Sequence, residues 1–141
     1  IDNEMQTALC LAAKRGVDVS IITPGIPDKW LVWQMTRSYY EPLMKAGVKI
    51  YEYTPGFIHA KMIVADNDVA VVGTINMDFR SFYLHFECGT VFYRGSVVDK
   101  VRSDILETIE KSEEIDAHWI KSYPWIKSIG ASLLSLLIPL M

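Results

Sequence analysis

Two β-rich runs stand almost end to end in the middle of the chain, Ile58 to Ala65 (IHAKMIVA) and Val69 to Gly73 (VAVVG), separated only by Asp66-Asn67-Asp68. Asp and Asn tolerate the backbone angles of a tight reversal and hydrogen-bond their own main chain, so the two runs are expected to pair as a hairpin. Around this antiparallel centre, helical and strand patterns alternate. Glu4 to Arg15 (EMQTALCLAAKR) has helical composition and spacing, with Asp2 or Asn3 as N-cap and Gly16 as C-cap. Val17 to Thr23 reads as a buried strand stopped by Pro24-Gly25, and Lys29 to Lys45 as a helix closed by Gly47, with Pro42 able to bend or split it. Val48 to Tyr53 and Cys88 to Tyr93 read as further strands, and Val97 to Ser112 as an amphipathic helix. The segment between Gly73 and Cys88 is left irregular. These elements make an α/β fold, a mixed β-sheet flanked by helices.

Half of the 141 residues are hydrophobic and 22% are charged, which is enough apolar material for the core of one domain, or of part of one, and excludes intrinsic disorder. Lys plus Arg is 14 against 17 Asp plus Glu, so the chain lacks the broad basic footprint of a nucleic-acid binder, and no nucleic-acid partner is expected. Cys10 and Cys88 lie in apolar surroundings without a CxxC pair, and read as buried free thiols in a reducing compartment, not as a zinc site. The first residue is Ile1 and no signal peptide follows it, which reads as a piece of a longer protein. The organisation expected is a catalytic portion over 1–115 and an aromatic, Leu-rich tail over 116–141. Within that tail, Ile126 to Met141 (IKSIGASLLSLLIPLM) is short for a membrane span. It reads as a docked helix or as an interfacial segment, the latter favoured by Trp119, Lys121, Tyr123, Trp125 and Lys127.

The chemistry concentrates between His59 and Glu87. On the hairpin reading His59 and Lys61 are two apart on one strand and share a face, while Gly73 and Asn76 lie at the end of the partner strand and just beyond it. A His, a Lys and an Asn therefore meet at one end of a sheet, beside a Gly73-Thr74 turn that permits close backbone approach. An imidazole can attack phosphorus or move a proton, and an ammonium and an amide can hold phosphate oxygens.

The full spacing, HxKx4Dx6GTxN over His59, Lys61, Asp66, Gly73, Thr74 and Asn76, resembles the HKD signature of the phospholipase D superfamily. The continuation Asn76-x-Asp78-x-Arg80-Ser81 followed by Phe86-Glu87, the earlier Arg15-Gly16-Val17-Asp18-Val19 with Pro24, and the Leu-rich end all look more specifically like bacterial cardiolipin synthases. The resemblance implies a phospholipase D-like fold, here without one or more N-terminal core strands, and a phosphatidyl transferase that needs no metal or organic cofactor. In such enzymes two HKD motifs face one site. One His forms a phosphohistidine, and the other protonates the leaving alcohol. A second phosphatidylglycerol then takes the phosphatidyl group, giving cardiolipin and glycerol. It further implies His59 as the acid/base of the pair, Lys61 and Asn76 on phosphate oxygens, and Glu87 on the far ring nitrogen of His59, fixing its tautomer. Asp66 belongs to the same signature, with a structural role in tying the hairpin turn. Gly73, Thr74 and Ser81 fall on the substrate-binding side, although Thr74 could equally be a strand-end residue.

Position 85 is His where the cardiolipin synthases usually carry Asn, so His85 is a substitute hydrogen-bond partner, a solvated residue or a second titrating group. Only one HKD motif is present, and one His cannot serve as both halves of the site. The partners implied are phosphatidylglycerol, an upstream HKD half of the same protein and a membrane surface, with the full-length protein at the bacterial cell membrane. The competing readings are a single-motif phosphodiesterase or nuclease completed by homodimerisation across a twofold axis, and a non-catalytic docking module that kept the fold.

Overall fold

The computed structural model describes residues 1–116, 118 and 119. Helix α1 (Asn3–Lys14) begins where the Asp2 carboxylate accepts the Met5 N–H at 2.7 Å, and its far end closes on Gly16 at φ +92°. There the N–H groups of Gly16 and Val17 reach back to the carbonyls of Ala13 and Ala12, the paired closure that a left-handed residue makes possible. The same closure recurs at Gly47, φ +102°, at the end of helix α3 (Tyr40–Lys45), with Met44 and Leu43 as acceptors. Each of these turns feeds a strand. β1 (Ser20–Pro24) and β2 (Lys49–Tyr53) pair in parallel, Ser20 opposite Lys49 and Pro24 opposite Tyr53.

The remaining strands depart from the expected single sheet: among the described residues there are two sheets of three strands. The first has order β1-β2-β6, in which β6 (Ser112–Glu114) runs antiparallel to β2. Its core is Tyr40, Leu43, Val48, Ile50 and Ile115, with Leu9, Cys10 and Ala13 of α1 packed against it. The second sheet is antiparallel, β3 (Met62–Ala65), β4 (Val69–Gly73) and β5 (Gly89–Tyr93). Helix α5 (Ser96–Glu110) packs against all three of its strands, where Val98 and Ala70 are both fully buried. The hairpin expected around Asp66-Asn67-Asp68 is present, with Asp66 at φ +52° in the turn.

Several boundaries differ from the sequence expectation. The run Ile58 to Ala65 is a strand only from Met62 on, and β1 starts at Ser20 rather than Val17. The helix expected over Lys29 to Lys45 is two, α2 (Trp30–Ser38) and α3, divided at Tyr39. Pro42 is not the break: it occupies the third position of α3, where its missing N–H has no intrahelical partner to lose. The segment left irregular contains a short helix, α4 (Phe79–Tyr83), capped by Asp78, and α5 ends at Glu110 so that Ser112 enters β6. Both cysteines are free thiols, but neither is buried: Cys10 is half-buried and Cys88 exposed. The segment Ile126 to Met141 lies outside the described residues.

One polar cluster is built into the first sheet. Glu52, on the same face of β2 as Ile50 and 5% exposed, accepts two hydrogen bonds from Arg37 of α2, at 2.8 and 2.6 Å. The Tyr40 hydroxyl, bonded to Thr23 Oγ1 at 2.6 Å, also donates to Glu52 at 2.9 Å. The Arg37 guanidinium lies 3.5 Å from the centroid of the Trp33 ring and 5.4 Å from that of Trp119.

Candidate active site

The three-stranded antiparallel sheet determines which motif residues meet. Because β3 and β4 turn at residues 66–68, the start of β3 and the end of β4 share one end of the sheet, and the β4–β5 register places Gly73 opposite Gly89 at that same end. The Gly73 N–H donates to the Lys61 carbonyl at 3.1 Å, carrying the ladder one residue past β3. Lys61, Gly73-Thr74 and Glu87-Cys88 therefore stand side by side across three chain segments. Gly73 is required by this closeness: a Cβ there would lie 2.2 Å from the Cys88 carbonyl oxygen and 2.6 Å from Gly89 Cα, both backbone atoms that cannot give way.

Thr74 joins β4 to the approach of β5. Its N–H donates to the Cys88 carbonyl at 2.9 Å, and its hydroxyl oxygen accepts the Cys88 N–H at 3.0 Å. The same hydroxyl donates to Glu87 Oε2 in a short hydrogen bond, while Ser81 Oγ donates to Glu87 Oε1 at 2.9 Å. Ser81 in turn accepts the Asn76 N–H at 3.2 Å, and its own N–H is capped by Asp78 at 2.7 Å. Glu87 is thus the hub that fixes the Asn76–Ser81 loop. These bonds, with Thr74 the largest contributor, hold the Glu87 carboxyl below its ordinary value.

Lys61 is half-buried, and its Nζ donates to the His59 carbonyl at 2.8 Å. Burial pushes this ammonium below the ordinary lysine value, against the opposing pull of Glu87 and Asp78. The His59 ring is exposed and stacks on Phe57, with centroids 5.9 Å apart and planes within 15° of parallel. The exposed Asn76 lies on the loop just past β4.

Three sequence expectations are corrected by this geometry. His59 and Lys61 do not sit on a strand but on the approach to β3, which starts at Met62. The carboxylate of Glu87 bonds Thr74 and Ser81 and makes no hydrogen bond to the ring of His59. Asp66 sits in the hairpin turn, where the sequence reading set it, at the opposite end from the other motif residues; what differs is that the ion pair of that turn is made by Asp68 with Arg94, at 3.0 Å. Ser81, 8% exposed, has its hydroxyl committed to Glu87 and Asn76. His85 is exposed and accepts a short hydrogen bond from Arg80 Nε, with its own N–H on the Arg80 carbonyl at 3.0 Å. Two residues given no role from sequence shape the site. The Asp78 cap could have been found from Asp78-x-x-Ser81, a helix N-terminal pattern. The aromatic Phe57, two residues before His59 in an extended stretch, projects to the same side.

An exposed imidazole, a partly desolvated ammonium and an amide around an open sheet end suit a phosphodiester group, and the architecture carrying them is that of the phospholipase D family. The fold matches that of a phospholipase D family member, Nuc from Salmonella typhimurium, with a TM-score of 0.70 over 82% of this chain and 75% of that one, at 19% sequence identity. Residues 1–109 match the family described as "Cardiolipin synthase, PLD-like domain", and the chain belongs to it. Among its relatives, the cardiolipin synthase of Alkalihalophilus pseudofirmus is 43% identical over 140 residues, 99% of this chain and 28% of the relative. That of Halalkalibacterium halodurans is 41% identical over the same shares, and an uncharacterized protein of Streptococcus mutans is 45% identical over 141 residues, 30% of its length. The chain therefore spans under a third of the relatives it matches.

Proposed function

We propose that this chain supplies one of the two HKD half-sites of a cardiolipin synthase-type phosphatidyl transferase. The observation that supports this most is the meeting of Lys61, Thr74, Asn76 and Glu87 at one end of the antiparallel sheet, in a chain more than 40% identical to cardiolipin synthases along its whole length. In this reading the His of the complementary half attacks the phosphorus of phosphatidylglycerol, forming an N–P bond as the P–O bond to glycerol breaks. His59, in its imidazolium form, gives its proton to the departing glycerol oxygen. It then takes a proton from the primary hydroxyl of a second phosphatidylglycerol, whose oxygen attacks the phosphohistidine and breaks the N–P bond. Cardiolipin and glycerol are the products, and both histidines return to their starting states.

Lys61 and Asn76 hold the non-bridging phosphate oxygens through both steps, and the partial desolvation of Lys61 strengthens its pull on an anionic phosphorane. Thr74, Ser81 and Glu87 keep the Asn76 loop in place. Residues 1–115 form the catalytic portion, and 116–141 form a tail that docks on it or meets the lipid surface. The site works at the membrane face. Among the described residues no helix is long and apolar enough to cross a bilayer.

The test is the solution mass of the chain by light scattering, with turnover of a chromogenic phosphodiester measured on the same fractions. A monomer without turnover is expected. A stable dimer that turns over the substrate and loses activity with His59→Ala would overturn the half-site reading in favour of a homodimeric phosphodiesterase.

A further inference from the structure

Catalytic imidazoles are ordinarily oriented by a hydrogen bond to the ring nitrogen away from the reaction, most often from a carboxylate. The carboxylate of Glu87 bonds Thr74 and Ser81, one hydroxyl on each oxygen, and makes no hydrogen bond to the His59 ring in this structure. Among the described residues the His59 imidazole has no hydrogen-bond partner, yet two contacts hold it. Its carbonyl accepts from Lys61 Nζ at 2.8 Å, which pins the backbone from which the ring projects. Its ring lies against Phe57 in a nearly parallel stack, 5.9 Å between centroids and 15° between planes, within the range of offset aromatic pairs.

Folding alone does not explain Phe57. Phe57 is 58% exposed and is not part of the hydrophobic core cluster, so much of its apolar surface stays in water. It also lies outside the ladders, on the approach from β2 to β3 that carries His59 and Lys61. The ring does stack on the imidazole.

We propose that Phe57 is a positioning residue for His59: the stacked ring fixes the plane in which the imidazole is presented to substrate. The inference rests on His59 being the acid/base of the half-site. A stack of this kind restricts the plane of the ring while leaving the reacting nitrogen open, which suits a group that must both give and take a proton at one substrate oxygen.

The test uses Phe57→Leu, Phe57→Tyr and Phe57→Trp in the intact two-motif enzyme, with His59→Ala beside them. Phe57→Leu keeps apolar bulk and removes the stack, and should lower kcat roughly 10- to 100-fold, as expected for a misplaced catalytic group, with KM within about twofold. Phe57→Tyr and Phe57→Trp, which retain a stacking face, should recover most of kcat. A second readout needs no turnover. In this chain the ring protons of His59 should carry an upfield ring-current shift in the NMR spectrum that Phe57→Leu abolishes and Phe57→Tyr retains. Wild-type kcat in Phe57→Leu while His59→Ala is inactive would overturn the positioning role and leave the half-site reading standing. An active His59→Ala would instead overturn that reading. His59 ring shifts unchanged by Phe57→Leu would refute the stack directly, whatever the kinetics.

Discussion

At the scale of single residues, the decisive competition is for Glu87. A carboxylate close to a histidine motif invites the expectation of a Glu–His pair, and the spacing of the signature carries no information against it. Thr74 and Ser81 win because β4 delivers Thr74 beside Cys88, and the cap at Asp78 turns Ser81 inward. Identities and spacing were therefore legible in the sequence, whereas the partner of each group was not, since partnership depends on which hydroxyl the fold brings closer. The consequence is measurable through pH. Glu87 is held below its ordinary value in the folded chain, chiefly by Thr74. A depressed carboxyl stabilises the fold above its unfolded value, and that contribution is lost as the pH falls through the folded one. Thr74→Val removes the main cause, so the variant should lose part of the acid-side dependence of the urea midpoint, and Thr74→Ser should retain it. The slope against pH is the readout, because the variant also loses the acceptor for the Cys88 N–H, a loss that does not vary with pH. An unchanged slope in Thr74→Val would show that the Thr74 bond does not govern Glu87.

Among elements, the glycine closures after α1 and α3 and the hairpin turn were readable because each depends on local chemistry: a residue able to take positive φ, or Asp and Asn in a reversal. The boundaries that shifted are those decided by tertiary contacts. β3 begins only where β4 can pair with it, and Ser112 leaves its helical pattern because residues 112–114 pair with β2. The Arg37–Glu52 pair was illegible for the same reason, being made between a helix and a strand with no motif joining them. One hint was present, in that the period of two along β2 sets Glu52 on the face of Ile50, where a carboxylate is burdensome unless paired. This buried fork carries a stability prediction. Arg37→Met leaves Glu52 buried with only Tyr40 as donor, and should cost about 3–5 kcal/mol in urea unfolding. The double variant Arg37→Met/Glu52→Met, which removes both charges, should recover much of that loss. A single variant within about 1 kcal/mol of the parent would mean that the pair contributes as a surface bridge does, despite side-chain exposures of 17% and 6%.

For the molecule as a whole, the alternation of helices and strands made the α/β class legible, but not the division into two sheets, since that depends on which strands share edges. On the proposed reading, what matters at this scale is that one set of HKD residues occupies an open sheet end, in a chain that spans 28% of the Alkalihalophilus pseudofirmus cardiolipin synthase. A single imidazole cannot attack phosphorus and also protonate the leaving group, so the half to which His59 belongs can be separated from the other by choosing the leaving group. A nitrophenolate departs without a proton, whereas glycerol does not. In the intact enzyme, His59→Ala should therefore release about one equivalent of nitrophenolate from a nitrophenyl phosphodiester as a burst, and accumulate a phosphohistidine on the complementary His, because no base remains to activate the acceptor. Cardiolipin formation from phosphatidylglycerol should be lost in the same variant. Replacing the complementary His should abolish the burst as well as the turnover. A missing burst in His59→Ala, with a burst retained when the other His is replaced, would reverse the assignment and make His59 the nucleophile. Under the proposed roles, Lys61, Asn76 and the Glu87-centred loop would serve unchanged in either case, since the phosphate they would hold is the same.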